Sequence, residues 1–183
     1  MSTLIMTDTA PRVWPACLNC YNNGRLVGQW VDCTDAADLT IESLHQGPGE
    51  PYADCEEIWC LDHENIPIKG EMSITEAARW GECYEEAGAD QWLAVCAWVS
   101  TGCYITDGTG DIPSLPDFED AYQGQWDSFR EYAEQLADDI GLTNDWPEEA
   151  QRYFDWDAWT RDLAFDYTVM DAPDGGVIIF RNF

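Results

Sequence analysis

Carboxylates are the most abundant side chains of this sequence that could do chemistry. Thirty-six Asp and Glu stand against eight Lys and Arg, giving a formal net charge of −28 on 183 residues. Residues 1–106 carry 17 acids and 4 bases, and residues 107–183 carry 19 acids and 4 bases, so the charge is not confined to a tail. A surface of this sign repels nucleic acid and attracts proteins that bind nucleic acid.

The acids are interleaved with aromatic residues, namely ten Trp, eight Tyr and six Phe. Disordered acidic segments are poor in aromatics, so this composition indicates a folded body with a charged surface. At the density of B-DNA, about one charge per 1.7 Å of axis, 36 carboxylates match roughly 60 Å of duplex, or about 18 base pairs. General solubilising or halophilic acidity is the alternative, but aromatics beside carboxylates favour a contact surface.

Metal and cofactor chemistry is not predicted. Cys17 and Cys20 form one CxxC without a second, whereas zinc sites usually show two ligand pairs. In a continuous strand the two residues would face opposite sides of the sheet. The stretch Asp107–Asp111 lacks the ligand pattern of an EF-hand loop. We therefore expect no metal, no other cofactor and eight reduced cysteines, at positions 17, 20, 33, 55, 60, 83, 96 and 103.

An enzyme and a membrane protein are the other classes to weigh. The sequence contains no nucleophile elbow, P-loop, dinucleotide-binding glycine pattern or HExxH motif. An acid–base pair of carboxylates remains conceivable, but neither His45 nor His63 has a recognisable catalytic setting. No run approaches the ~18 apolar residues of a membrane span, and the N-terminus lacks a signal-peptide pattern. The sequence predicts a soluble, intracellular protein that is not an enzyme.

Residues 1–69 are predicted to form an N-terminal α+β subdomain. Strands over Val13–Tyr21 and Leu26–Val31 flank a turn at Asn22–Gly24, and Glu57–Asp62 supplies a third strand. A helix begins at Thr34, buries Leu39, Ile41, Leu44 and His45, and stops at Gly47–Gly49. The expected unit is a three-stranded sheet with one helix against it.

Residues 70–112 are predicted to form a central helical subdomain with a linker. A capping box at Ser73–Glu76 and a stop at Gly88 bracket one helix. A second helix covers Asp90–Ser100, and the Gly- and Pro-rich residues 107–116 form the linker.

Residues 113–183 are predicted to form a C-terminal α+β subdomain of helices and a β-hairpin. A helix over Trp126–Ile140 places Asp127, Glu131, Glu134 and Asp138 on one face. A second helix begins at Pro147, and a hairpin closes the chain. The carboxylates predicted to bind a partner are Glu119, Asp120, Asp127, Glu131, Glu134, Asp138, Asp139, Glu148 and Glu149.

The stretch Tyr21–Trp30 (YNNGRLVGQW) resembles the YNxGxLxGxW signature of ArdA-type antirestriction proteins. The resemblance continues through Cys55–Glu64, Phe129–Glu134 and Tyr153–Leu163 to the final hairpin, over roughly residues 12–182. The first and last motifs are specific in combination, although Trp156 replaces the family's usual aromatic and the cysteines are unusually many. The signature residues expected to act structurally are Tyr21, Asn22, Gly24, Gly28 and Trp30.

The resemblance implies an elongated homodimer with three small subdomains per chain. It implies that the carboxylates mimic the phosphates of bent B-form DNA and occupy the DNA groove of type I restriction-modification enzymes. Such proteins protect incoming mobile DNA in the bacterial cytoplasm, and they bind the methyltransferase core of the enzyme rather than nucleic acid. The alternative is an acidic adaptor for a basic partner unrelated to restriction.

Self-association is predicted through residues 113–183. This segment has more large apolar side chains than so short a stretch can bury, and Val177–Phe180 is the least charged run in the second half of the chain. Packing within the segment's own core is the alternative. The side chains considered are Tyr153, Phe154, Trp156, Trp159, Phe165, Tyr167, Ile178, Ile179 and Phe180.

Overall fold

The structure is a computed structural model that describes residues 10–46 and 54–183. Two compact units are present, the first ending at Leu115 and the second covering Pro116–Phe183. Each unit combines helices with its own antiparallel sheet, so the predicted α+β class is confirmed. No helix in the described part of the chain is long and apolar enough to cross a membrane.

The first unit is organised around a four-stranded sheet. Its strands are β1 (Arg12–Cys17), β2 (Val31–Asp32), β3 (Ile58–Glu64) and β4 (Met72–Ser73), in the order β2-β1-β3-β4. The predicted third strand is confirmed as β3, whereas β4 was not predicted because two residues are too few to show a strand pattern. Val13 on β1 is fully buried, opposite Val31 and His63.

The strand predicted over Val13–Tyr21 is too long. β1 ends at Cys17, and the chain turns into the short helix α1 (Leu18–Asn22). Two groups of Asn23 stabilise this turn, because its backbone N–H and its side-chain amide both donate to the carbonyl of Asn19. The last apolar residues of the predicted strand, Leu18, Cys20 and Tyr21, therefore belong to a helical turn.

The returning segment is also less regular than predicted. Gly24 takes a φ of +77°, as the predicted turn requires. Beyond it, a single bridge joins Gly28 to Ala16 before β2 begins at Val31. A Cβ at Gly28 would lie 2.6 Å from the Pro15 carbonyl oxygen, so only glycine permits this close approach.

The helix predicted from Thr34 is two pieces. A 3₁₀ helix covers Cys33–Asp38, and α2 (Ile41–Leu44) follows it. Thr40 separates them because its hydroxyl accepts the Ser43 N–H and caps α2. The predicted stop at residues 47–49 lies outside the described residues.

Two longer helices follow, both close to their predicted bounds. They are α3 (Ile74–Ala87) and α4 (Ala89–Ser100). Gly88 separates them with a φ of +80°, and the Ser73 hydroxyl accepts the Glu76 N–H at the start of α3. Gly81 lets α3 lie directly against the 3₁₀ helix, since a Cβ there would be 2.6 Å from the backbone of Cys33.

The predicted linker over residues 107–116 is an ordered turn. The backbone N–H of Asp107 donates to Ile112, and the N–H of Ser114 donates to Ile105. Ile112 is buried, so its side chain holds this turn against the first unit. The boundary between the compact units nevertheless falls at the end of this stretch, after Leu115.

The predicted N-terminal and central subdomains share the first unit. β4 pairs with β3, and α3 packs against the 3₁₀ helix, so elements of residues 70–112 complete the fold of the preceding residues. A finer division of this unit at residue 69 stays a prediction.

The second unit has a three-stranded sheet, in which β7 (Val177–Arg181) lies between β5 (Tyr122–Trp126) and β6 (Tyr167–Asp171). The predicted hairpin is confirmed as β6 and β7, and the predicted helix from Trp126 begins at Phe129 because Ser128 caps it. The helices and strands are α5 (Leu115–Ala121), β5 (Tyr122–Trp126), α6 (Phe129–Asp139), α7 (Glu148–Arg152), α8 (Trp156–Leu163), β6 (Tyr167–Asp171) and β7 (Val177–Arg181).

The core of the second unit is aromatic. Phe118 stacks on Tyr122 with ring centroids 5.3 Å apart, and it contacts Phe180 at 6.4 Å. Ile178, Ile179 and Phe180 are at most 1% exposed because β7 is the central strand of the sheet. The predicted use of Val177–Phe180 as a surface for self-association is therefore wrong.

Candidate functional site

The carboxylates lie almost entirely on the surface. Among the described residues, every Asp and Glu is exposed except Glu76 and Asp117, which are half-buried. All nine carboxylates predicted to bind a partner are exposed. The acidic character of the sequence is thus a property of the protein surface.

Helix α6 positions the most regular acidic face of the second unit. Tyr132, Ala133 and Ala137 are buried on one side, which leaves Glu131, Glu134 and Asp138 on the other. Glu131 and Asp138 are separated by seven residues, or about 10 Å of helix axis. The spacing of the acids therefore follows from the helix period and from the buried side.

Asp127 belongs to this acidic face, although it precedes the helix. Its backbone N–H donates to Glu131 Oε2 at 3.1 Å, which brings the two residues together at the start of α6. The prediction that Asp127 lies within the helix is wrong, because Ser128 takes the N-cap position instead.

Arg130 offsets part of the charge beside this face. Its guanidinium donates to Glu134 at 2.8 Å and to Asp157 at 2.6 Å, linking α6 to the first turn of α8. Hydrogen bonds to Glu134 and then to Asp157 raise the pKa of Arg130. Arg152 and Arg161 form ion pairs with acids on their own helices, Glu148 at 3.8 Å and Asp162 at 3.0 Å. Four bases in this unit leave most acids unneutralised.

The other predicted carboxylates lie on three helices of the second unit. Glu119 and Asp120 are on α5, and Glu148 and Glu149 are in the first turn of α7. Asp139 ends α6 and accepts a hydrogen bond from Gln135 at 2.8 Å. These side chains form a distributed surface and are not gathered around one point.

A groove that the sequence prediction did not identify lies beside Asp127 and Glu131. Its wall includes Trp126, whose indole N–H donates to the Gln123 carbonyl at 2.8 Å. The β6–β7 turn borders the groove through Gly175, and the next residue, Gly176, approaches the backbone of Trp126 too closely for any Cβ. Two carboxylates beside an aromatic ring suit a guanidinium or ammonium group. The remaining lining residues are Gln125 and Gly175.

The first unit carries acidic helix faces that the sequence analysis did not assign to individual residues. On α3, Ala77, Trp80 and Cys83 are buried, whereas Glu82, Glu85 and Glu86 are exposed. The i, i+3 and i+4 spacing of these three acids was a sufficient signal.

The signature stretch Tyr21–Trp30 lies beside β1. Tyr21 and Asn22 end α1, and both are exposed. Gly24 and Gly28 provide the turn and the close approach already described. Trp30 lies under the Arg12 guanidinium, with 5.7 Å between the guanidinium carbon and the ring centroid.

Four side chains that can bind a metal lie close together, although the predicted strand would have placed Cys17 and Cys20 on opposite faces of the sheet. Cys17, Cys20, His45 and Cys55 place one ligand atom each within 4.8 Å of one another. Cys20 lies in α1 and not in a strand, so it turns to the same side as Cys17. This group, the Cys/His cluster, includes both residues of the CxxC and could hold a metal ion.

The pKa values of Cys17 and Cys20 shift in opposite directions within the Cys/His cluster. Burial opposes ionisation of Cys17, but hydrogen bonds from the Cys20 backbone and then from His45, Cys55 and Cys20 side chains lower its pKa. Burial, followed by the interactions with Cys17 and Cys55, raises the pKa of Cys20. Ionisation of one thiol is therefore favoured at the cluster, and a second thiolate beside it is opposed by repulsion between like charges.

The fold and surface define an acidic α+β protein suited to a basic partner. The antirestriction protein family ArdA matches residues 13–177, and the chain belongs to this family. It is thus an antirestriction protein, and the family implies a restriction-modification enzyme as the partner in general. ArdA is a family of inhibitors and is not a known enzyme family. A search among curated proteins found no match.

Proposed function

We propose that the chain inhibits type I restriction-modification enzymes by presenting its carboxylates in place of the phosphates of B-form DNA. The carrying observation is that all described acids except Glu76 and Asp117 are exposed on a folded body. A solvating coat would also be exposed, but the groove between Trp126, Asp127 and Glu131 offers a binding site for a basic side chain. Most of the described aromatic side chains are buried or half-buried, so the proposal rests on the exposed acids and on this groove rather than on the aromatic contact surface expected from the sequence.

The geometry of α6 supports the comparison with a DNA strand. Acids three or four residues apart on a helix repeat about every 5 Å of axis, whereas one DNA strand carries a charge about every 3.4 Å. One helix face therefore reaches roughly two-thirds of the axial charge density of one strand. Several exposed faces together supply the remaining charge, such as α3 with Glu82, Glu85 and Glu86.

The proposed mechanism is competitive. Basic residues of the enzyme that normally contact phosphates bind carboxylates instead, and both kinds of complex release counterions. Inhibition therefore weakens as salt increases, because the charges that form the complex are screened. The proposed site of action is the cytoplasm of a bacterial cell, where incoming DNA meets the enzyme.

A homodimer is part of the proposal, although its predicted contact surface changes. Of the nine large side chains considered for self-association, Tyr153 and Phe165 are exposed, at 76% and 79%. Tyr153 and Phe165 replace the run Val177–Phe180, in which Ile178, Ile179 and Phe180 are buried, as candidates for the contact surface. A protein that sediments as a monomer at micromolar concentration and moderate salt would contradict this part of the proposal.

Titration of a type I enzyme with the purified protein tests the main proposal. We expect cleavage to fall in proportion to added protein until the enzyme is saturated, without turnover of the inhibitor. Excess substrate DNA that carries the recognition site should restore cleavage, and higher salt should weaken inhibition. Complete inhibition by trace amounts would indicate catalysis. Binding that duplex DNA fails to displace would indicate an acidic adaptor instead.

A further inference from the structure

The Cys/His cluster has the composition of a metal site. Cys20 Sγ lies 3.8 Å from His45 Nε2 and 3.8 Å from Cys55 Sγ. All four ligand atoms, including Cys17 Sγ, lie within 4.8 Å of one another. Cys17, Cys20 and His45 are buried, and Cys55 is half-buried. Three sulfurs and one imidazole nitrogen therefore converge away from bulk solvent.

The separations are close to those of a tetrahedral zinc site. With Zn–S near 2.3 Å and Zn–N near 2.0 Å, tetrahedral angles place neighbouring ligand atoms about 3.5–3.8 Å apart. The two separations involving Cys20 meet this range. The upper limit of 4.8 Å exceeds it by about 1 Å, an adjustment within the reach of side-chain rotation.

The four ligands lie in or next to different elements of the fold. Cys17 ends β1, Cys20 lies three residues later in α1, His45 follows α2, and Cys55 precedes β3. The helical turn after Cys17 is what brings both cysteines of the CxxC to one side. A metal bound here would join segments far apart in sequence, as structural sites do.

Neighbouring donors are arranged to stabilise negative sulfur. An Arg25 guanidinium nitrogen lies 3.1 Å from Cys20 Sγ, and the Asn19 side-chain amide lies 3.6 Å from Cys55 Sγ. Zn²⁺ with three thiolates and a neutral imidazole has a net charge of about −1, which one guanidinium balances. The protein has only eight Lys and Arg against 36 acids. That Arg25 lies beside the Cys20 sulfur and not beside a carboxylate alone therefore points to negative charge on that sulfur.

We propose that Cys17, Cys20, His45 and Cys55 bind one structural zinc ion. Zinc fits because three thiolates and one imidazole are a donor set typical of tetrahedral structural zinc. Iron–sulfur clusters are usually held by four cysteines, and this group has three. Four protein ligands leave no open position for substrate, so the role is structural rather than catalytic.

The proposed zinc ion anchors the signature stretch Tyr21–Trp30. Cys20 directly precedes that stretch, and its carbonyl accepts the backbone N–H of Arg25 at 2.9 Å. The Arg25 side chain returns to Cys20 Sγ as well. Fixing Cys20 on the metal therefore fixes both ends of the turn that contains Gly24.

Metal analysis of the full chain tests the proposal. Protein purified without a His tag, in reducing buffer, should contain about one zinc ion per chain. Replacing zinc with Co²⁺ should give thiolate-to-cobalt charge-transfer bands and intense visible bands typical of tetrahedral coordination. Wild-type protein that takes up neither ion when refolded with excess metal would overturn the proposal. So would a Cys20–Cys55 disulfide that persists in metal-free protein under these reducing conditions.

Cysteine variants locate the ion. Cys17→Ser and Cys55→Ser should each lose most of the zinc and change the cobalt bands. Two matched controls should keep the ion: Cys103→Ser, which is exposed, and Cys60→Ala, which is buried in the same unit. Zinc retained by both cluster variants would overturn the assignment. Because a variant that unfolds also loses metal, the cobalt spectrum of the wild-type protein decides whether three thiolates coordinate the ion.

Discussion

The two units of the protein have similar charge but different interiors. The described residues of each unit include 17 acids and 4 bases. All eight cysteines lie in the first unit, whereas aromatic contacts occur in both, such as Trp80–Trp92 in the first and Phe118–Tyr122 in the second. The two units therefore carry the same excess of acids around cores of different composition. The contacts that stabilise each core can be tested separately from the surface acids that we propose bind the enzyme.

Metal removal should have the largest effect, and it should be confined to the first unit. With the proposed zinc ion extracted by a strong chelator, amides of β1, α1 and β3 should exchange hydrogen much faster, because metal binding is coupled to folding. Hydrogen-exchange mass spectrometry on the full chain reports both units in one experiment. Amides of β5, β6 and β7 provide the internal control. Equal loss of protection in both units would show that the chelator acts generally.

A cavity in the aromatic core should destabilise the second unit and leave the first unit unchanged. Phe118 is 1% exposed, so Phe118→Ala should lower the free energy of unfolding by about 3–5 kcal/mol through lost burial and an unfilled cavity. Urea denaturation measures the loss, and hydrogen exchange should place it in the second unit. The zinc content should not change. Phe118→Leu, which leaves a smaller cavity, should cost less, and equal costs would contradict the cavity explanation.

Charge removal should show whether both units contact the enzyme. In the second unit, Asp127→Asn, Glu131→Gln and Asp138→Asn together should weaken inhibition by about tenfold, because three phosphate-like contacts are lost. Glu134 is left intact because it pairs with Arg130. The matched variant in the first unit combines Glu82→Gln, Glu85→Gln and Glu86→Gln.

The pair of charge variants separates three outcomes. Similar losses would show that the enzyme contacts both units, and a loss with one variant would assign the contact to that unit. Unchanged inhibition by both would contradict DNA mimicry by these faces. Circular dichroism should show intact helices in both variants, since removing like charges three or four residues apart does not destabilise a helix.

Sequence patterns predicted the elements with local signals and missed those set by tertiary contacts. Helix α3 was predicted closely because Ser73 and Gly88 mark its ends by their own chemistry. β4 was missed because its two residues are strand only through pairing with β3. The acidic face of α6 was predicted from its period, but its start was misplaced because Trp126 belongs to β5 and Ser128 caps the helix, so that Phe129 is the first helical residue.

The Cys/His cluster shows the same limit more sharply. The two cysteines of the CxxC are adjacent in sequence, but the direction of their side chains depends on whether Cys20 is in a strand or a helical turn. The predicted strand places Cys17 and Cys20 on opposite faces, whereas the helical turn places them on the same side. His45 and Cys55 approach the other two through the fold alone, so no local pattern could have grouped them. The groove at Trp126 and Gly176 likewise exists only because two distant segments meet.

Removing the serine N-cap of one helix in each unit, α3 and α6, should have the smallest effect. The Ser73 hydroxyl accepts the Glu76 N–H at 3.1 Å, and the Ser128 hydroxyl accepts the Glu131 N–H at 3.2 Å. Ser73→Ala and Ser128→Ala should each lower the free energy of unfolding by about 1 kcal/mol, the usual effect of removing an N-cap. The two variants should differ in function. Ser128→Ala loosens the turn where Asp127 meets Glu131 and should weaken inhibition slightly, whereas Ser73→Ala should not. Ser128→Asp, which keeps a cap and adds a carboxylate, should retain both stability and inhibition, and a loss as large as that of Ser128→Ala would show that the hydroxyl acts in some way other than capping.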